Sequence, residues 1–159
     1  MDQKTVFVKI ALNAWQTQLD RTTKFISELS DEQFFQETAP GKNRGIYLVG
    51  HLAAIHDALP EILGLGKPAY PELQPIFLHS PDKTVEIIPS PSELRQIWTA
   101  VHDRLKNEFI AMPADSWFMR HNSMTDEDFD RDPSRNKLSV LVTRTSHLAY
   151  HFGQMRLLK

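Results

Sequence analysis

Two histidines four residues apart, His147 and His151, combine a residue type and a spacing that could bind a metal ion. Residues four apart on an α-helix lie on the same face about one turn apart, so both imidazoles can reach one ion with bonds of ~2.0–2.1 Å. A third histidine, His51, borders the apolar face of another stretch with helical spacing. Three neutral nitrogen ligands leave a coordination position open, as catalytic metal sites do. The three histidines could therefore form a site for one divalent ion.

Two other interpretations of the pair have to be compared with this one. The zinc-protease helix places a glutamate base directly after its first histidine, whereas Leu148 follows His147 here, so the spacing does not indicate a zinc protease. A histidine that borders an apolar face is more often a hydrogen-bonded core residue than a ligand. Spacing alone leaves the ligand role and the core role open.

Three further polar side chains lie one helical turn from the nearest of these histidines. The hydroxyl of Tyr47 could bind substrate, or its ring could pack with the hydroxyl at the surface. Arg144 could receive an anionic group of a substrate, or be solvated or paired with a carboxylate. Gln154 could orient a ligand histidine, or cap a neighbouring backbone group. Tyr47 and Arg144 are the candidate catalytic residues.

The remaining histidines fit a shared site less well. His56 lies five residues after His51, about 140° around the helix, so it cannot reach the same ion. We expect His102 on the exposed side of its helix. His79 and His121 lie in long connections, where each could be an extra ligand or a pocket residue.

Four stretches with apolar residues at alternating steps of four and three predict the helices that position these residues. They cover residues 8–29, 48–62, 94–112 and 138–155. Ser90 to Glu93 form a capping box with proline at the first helical position, which predicts the start of the third helix. No stretch alternates as a strand does. The pattern predicts an all-α four-helix bundle in one domain, residues 1–159.

Two long connections separate the later helices. About 25 residues between the second and third helices contain five prolines, which exclude a long helix there. A second connection covers residues 113–136. Connections longer than about 12–15 residues often cover a functional site, although they can also be packed spans between helix ends.

Composition excludes several classes of function. The chain contains no cysteine, so disulfides, thiolate metal sites and a cysteine nucleophile are excluded. The formal charge is −2 and the charges are spread along the chain, which argues against nucleic-acid or membrane-surface partners. Neither a signal peptide nor a membrane-spanning run is apparent, so we expect a cytoplasmic protein.

Two segments resemble the DinB/YfiT family of metalloenzymes: GHLA at 50–53 and HLAYHFGQ at 147–154. The resemblance implies a four-helix bundle, often a homodimer, that binds nickel or zinc. Carried over to this sequence, the metal ligands would be His51, His147 and His151. Relatives in that family include thiol-dependent S-transferases and a mycothiol-dependent isomerase.

These observations predict a metal-dependent enzyme, S-transferase-like or hydrolase-like, in which the ion activates a thiol or water. Its substrate would be a small molecule, for example a low-molecular-weight thiol. The alternative is a noncatalytic helical bundle that is stabilised by metal and serves in dimerisation or ligand binding.

Overall fold

The computed structural model describes residues 2–158, and every regular element there is helical. No strand forms in this range; its β pairing consists of two isolated bridges. The all-α prediction is confirmed. In chain order the helices are α1 (Gln3–Glu28), α2 (Asp31–Phe35), α3 (Gly45–Asp57), α4 (Leu59–Leu63), α5 (Leu73–Phe77), α6 (Pro91–Ala111), α7 (Ala114–Trp117), α8 (Asp126–Arg131) and α9 (Lys137–Met155), followed by a 3₁₀ turn (Arg156–Leu158).

The four long helices contact one another in a ring. Helix α1 packs along α9, α9 also packs against α3, α3 packs against α6, and α6 contacts α1. These four helices are the ones that the apolar periodicity predicts. The ring places α3, which carries the first candidate ligand, directly against α9, which carries the other two.

Helix α3 is buried on most of its surface. Ile46, Val49, Leu52 and Ala53 are all 0% exposed. Burial of each large apolar side chain contributes roughly 1.5–3 kcal/mol, so this helix has a fixed position in the core. The segment from Gly45 to Leu63 is long and apolar enough to cross a membrane by composition, but 67% of it is buried inside the molecule, as in a core helix.

The second predicted helix is interrupted. Helix α3 ends at Asp57 and α4 begins at Leu59, with Ala58 between them. Pro60 has no N–H to donate to the carbonyl of His56, which explains the break. Gly64, with φ of 73°, ends α4 at the predicted place.

Side-chain caps fix where the helices begin. The capping box predicted from Ser90 and Glu93 is present at the start of α6, and Ser30 forms a second one at α2. Asp2 caps α1 and Asn136 caps α9, each by accepting a hydrogen bond from a backbone N–H of the first turn. The cap at Asn136 therefore fixes where α9 begins, and with it the position of its histidines along the helix axis.

The two long connections pack against the ends of these helices. The first contains α5, which packs against α3. The second contains α7 and α8. Its Asn122 N–H donates to the carbonyl of Ile62, and the N–H of Lys137 donates to Met119. These bonds hold the second connection between the end of α4 and the start of α9.

Candidate metal centre

The three predicted ligands converge between α3 and α9. The Nε2 atom of His147 lies 3.4 Å from that of His51 and 3.0 Å from that of His151. The candidate ligand atoms of all three residues lie within 4.8 Å of one another. Each ring is half-buried. Imidazoles from two different helices therefore point to a common position.

The donor set fits a metal ion. Four ligands in a tetrahedron with bonds of ~2.0–2.1 Å have neighbouring nitrogens ~3.3–3.4 Å apart. The two Nε2 separations from His147, 3.0 and 3.4 Å, are close to that value. Three imidazoles carry no charge when they act as ligands, and they suit zinc, nickel, copper and iron. Among residues 2–158, this is the group of His, Asp and Glu side chains arranged to hold an ion.

Hydrogen bonds fix the tautomer of two of these histidines. The Nδ1–H of His51 donates to the backbone carbonyl of Phe77 at 2.9 Å. The Nδ1–H of His151 donates to Oε1 of Gln154 at 2.7 Å. Since the proton lies on Nδ1 in both rings, each Nε2 presents its lone pair to the common position. Outer hydrogen bonds of this type orient metal-bound histidines in known sites.

The first long connection supplies the partner of His51 and is tied down on both sides of it. Segment 77–82 runs along α3, where the hydroxyl of Tyr47 donates to the carbonyl of Ser80 at 2.9 Å. Arg44 pairs with Asp82 at 2.7 Å, and the carboxylate also accepts from the Arg44 backbone N–H. The side chain of Asp82 is only 5% exposed, so this ion pair is largely shielded from water. These contacts hold the Phe77 carbonyl in place.

Gly50 allows that connection to come close. A Cβ atom built at this position would collide with the ring of Phe77. The glycine directly before His51 therefore lets α5 lie against α3, which brings the carbonyl of Phe77 within reach of the imidazole.

Tyr47 lies beside the histidines but its hydroxyl is already engaged. Its ring is stacked on His51 with ring centroids 6.2 Å apart and an interplanar angle of 15°. Burial raises the pKa of the phenol, with a smaller contribution from the charge of Asp82. The structure thus places Tyr47 as a support for the ligand histidine; its role toward substrate stays a prediction.

The histidines of α9 are held in their neutral form. Burial, followed by repulsion from His151, His51 and Arg144, lowers the pKa of His147 to about 4. Burial also lowers the pKa of His151, although the hydrogen bond that its Nδ1–H donates to Gln154 acts in the opposite direction. Neutral imidazole is the form that binds metal, so both rings are ready to act as ligands at neutral pH.

Arg144 lies one turn before His147 on α9 and is half-buried. Its Nε atom is buried and has no hydrogen-bond partner in the part of the chain that the structure describes. Burial lowers the pKa of the guanidinium. The side chain also lines a cavity of about 270 Å³ beside the α9 histidines. Its function stays a prediction.

The prediction for His102 is wrong. This residue is 5% exposed and lies in the core, because the face of α6 on which it lies turns toward α3. It accepts a hydrogen bond from Nδ1 of His56 at 2.8 Å and donates its own Nδ1–H to the carbonyl of Trp98 at 2.7 Å. Its spacing of four residues from Trp98 and three from Leu105 places it on the buried face of α6.

The other histidines divide as follows. His56 lies outside the metal-binding group, as its angle on the helix predicts, and is fully buried against the ring of Trp15. His79 is exposed in the first connection. His121 lies in the second connection and lines the same cavity as Arg144. Neither of the last two belongs to the converging group.

Two larger cavities lie away from the histidines. One of about 430 Å³ lies between α1 and α6, and one of about 660 Å³ lies between α5 and α6. None of the three converging histidines lines either cavity. The cavities next to the candidate centre are smaller: the one lined by Arg144 and one of about 340 Å³ lined by Gln154.

Sequence reasoning missed the role of the backbone at this site. The carbonyls of Phe77 and Ser80 position the histidine and the tyrosine of α3, and a backbone carbonyl leaves no signal in residue type. The signal that was available is Gly50, a small residue directly before a candidate ligand inside a helix.

Comparisons with known proteins agree with this architecture. A sequence model of the DinB superfamily matches residues 14–155. A crystal structure described as that of a conserved protein of locus from Enterococcus faecalis is similar over 99% of this chain and 98% of that chain, with a TM-score of 0.63 and 16% sequence identity. At that identity the similarity concerns the fold alone. No curated protein matches the chain.

Proposed function

We propose that this chain, which belongs to the DinB superfamily, is a metal-dependent enzyme whose ion is held by His51, His147 and His151. The observation that carries the proposal is the convergence of three Nε2 atoms from two helices. In His51 and His151 the Nδ1–H bonds leave the Nε2 lone pairs free to face the common position, as outer partners do in known metal sites.

A divalent ion at this position would act as a Lewis acid, lowering the pKa of a thiol or water beside it and polarising a carbonyl group. The chain's own residues orient the ligand histidines and set their protonation state. Phe77 and Gln154 orient the imidazoles of His51 and His151, and burial keeps the two histidines of α9 neutral. Because the three ligands carry no charge, the full charge of the ion remains available to the substrate.

We infer a transferase or hydrolase reaction on a small-molecule substrate, with a low-molecular-weight thiol as the candidate nucleophile. Zinc or nickel is the expected metal, since imidazole suits both. The proposal includes a cytoplasmic location, where such thiols are kept reduced. The absence of cysteine supports a nucleophile supplied by the substrate rather than by the chain.

The first test is a calorimetric titration of the chelator-treated protein with zinc and with nickel. We expect one ion per chain in the wild type and a large loss of affinity in His147→Ala. His79→Ala is the matched control, because His79 is exposed and lies outside the converging group. Absence of binding in the wild type, or equal binding in His147→Ala, would refute the metal site.

The second test measures turnover. A panel of thiols (bacillithiol, glutathione and coenzyme A) is assayed with electrophilic acceptors and with simple ester substrates, with and without metal. The proposal expects activity that requires metal and disappears in His147→Ala. Tight metal binding without turnover of any of these substrates would favour the noncatalytic, metal-stabilised alternative.

A further inference from the structure

A polar cavity of about 270 Å³ lies beside the candidate metal centre, between the second long connection and the N-terminal half of α9. Its position differs from that of the three ligands, none of which lines it. Six residues line this cavity, which we call the arginine cavity: His121, Arg135, Ser139, Val140, Thr143 and Arg144.

The charge of the arginine cavity is positive. Two arginines line it and no carboxylate does. Among residues 2–158 neither arginine has a carboxylate oxygen within ion-pair distance. Asp132 is close enough to Arg135 for its pKa to be lowered in part by that charge, but its carboxylate accepts hydrogen bonds from Ser134. The two guanidinium groups are therefore available to a ligand.

Two side chains that line the cavity have defined hydrogen-bonding states. The Nε atom of Arg144 is buried without an acceptor, which is a costly state for a charged group. Nδ1 of His121 accepts from the N–H of Ser123 at 3.2 Å, so the proton of the neutral ring lies on Nε2. Burial, then the charges of Arg135 and Arg120, lower the pKa of His121. The neighbouring arginines therefore make the electrostatic potential around this ring positive.

The cavity is connected to the metal centre through Arg144. This residue precedes His147 by three positions, a rise of about 4.5 Å along α9. Thr143 and Arg144 line the cavity one helical turn before His147, an axial rise of ~4.5–6 Å along α9 that one small molecule can span.

We propose that the arginine cavity binds an oxyanion group, a carboxylate or a phosphate, of the substrate that reacts at the metal centre. This inference rests on the proposed function, and it narrows the substrate class to small anionic molecules. Arg144 and Arg135 would bind the oxygens as paired N–H donors, with Nε2–H of His121 as a third donor. The reacting group of the same molecule would extend along α9 toward the three histidines.

The test is a nuclear magnetic resonance titration of the full-length, metal-free protein with inorganic phosphate and, separately, with succinate, at constant ionic strength. Metal-free protein is used so that neither anion can bind an ion. We expect saturable shifts at residues that line the arginine cavity. Arg135→Gln and Arg144→Gln should each weaken binding by about tenfold or more, as expected for loss of a charge-assisted donor. Whichever probe binds more tightly identifies the group.

Arg131→Gln is the matched control, because Arg131 is exposed on α8 and does not line the cavity. It should bind both anions as the wild type does. The proposal is overturned if neither anion binds the wild type, if both cavity variants bind with unchanged affinity, or if all three variants weaken binding equally. Arg135 is exposed, so Arg135→Gln should fold normally. It therefore still tests anion binding if Arg144→Gln, at a half-buried position, fails to fold.

Failure of this inference is distinguishable from failure of the proposed function. Zinc binding is measured on the same variants, and we expect Arg135→Gln to keep the affinity of the wild type. Zinc binding without anion binding refutes the arginine cavity alone. Anion binding that is lost in both cavity variants supports the cavity, whatever the metal titration shows.

Discussion

The buried pair formed by His56 and His102 should make the protein acid-labile. His56 is 0% exposed and His102 is 5% exposed. The Nδ1–H of His56 donates to Nε2 of His102, whose own Nδ1–H donates to the carbonyl of Trp98. This chain of bonds requires both rings to be neutral. Protonation of His102 would place a second proton between the two rings and a charge in the core.

The size of the effect follows from the pKa of His102. Burial lowers it from 6.5 to about 4, against the hydrogen bond to Trp98. Between these values the unfolded chain binds a proton that the folded chain does not, so the free energy of unfolding falls as the pH falls. A pKa difference of this size lowers the free energy of unfolding by about 3 kcal/mol once the pH is below both values. About 2 kcal/mol of this stability is already lost when the pH reaches about 5. Burial also lowers the pKa of His56, which adds to the effect in the same direction.

The assay is urea unfolding followed by circular dichroism from about pH 8 to about pH 5, in the presence of a chelator. In His102→Gln the amide oxygen can still accept from His56, but the titrating group is gone. We expect the loss of stability over this range to be about 2 kcal/mol smaller in His102→Gln than in the wild type. His79→Gln, a change at an exposed histidine, should leave the wild-type pH dependence intact.

The reasoning is refuted if His102→Gln and the wild type lose the same free energy of unfolding between these pH values. A wild-type protein whose stability does not change down to about pH 5 would refute it equally, since a buried neutral pair must resist protonation.

Two further predictions concern the supports of the metal centre. Gln154→Leu removes the acceptor of His151 and should weaken zinc binding by about 10–100-fold in a calorimetric titration, the usual effect of losing an outer partner; an unchanged affinity would show that Gln154 does not orient the ligand. Gly50→Ala forces the ring of Phe77 away from α3, so it should lower both the melting temperature and the affinity for zinc. Gly153→Ala, at a helical site with open space around it, is the control: it should leave the affinity for zinc unchanged and should not lower the melting temperature, since alanine favours the helix more than glycine does.

The helices were predictable because their signals are local. The spacing of apolar residues in α1 and the capping box at Ser90 depend only on residues within one or two turns. The break at Ala58 was missed because the apolar pattern continues through Pro60, although the missing N–H of that proline breaks the helix. Local rules therefore gave the helices but not the interruption in the second one.

The candidate site depends on contacts between residues that are distant in sequence. The pair on α9 was visible as a spacing of four, but its meeting with His51 depends on how α3 and α9 pack. The burial of His102 could be predicted from its spacing to Trp98 and Leu105 on α6, but its pairing with His56 on another helix could not. The arginine cavity joins α9 to a connection with no regular pattern, so no spacing could predict it.

The central claim is that three imidazoles share one ion, and X-ray absorption spectroscopy of the zinc-loaded protein tests it most directly. We predict three imidazole nitrogens around zinc at ~2.0–2.1 Å, and a loss of one of them in His51→Ala. A zinc environment with one imidazole or none, or one that is identical in the wild type and in His51→Ala, would contradict the claim.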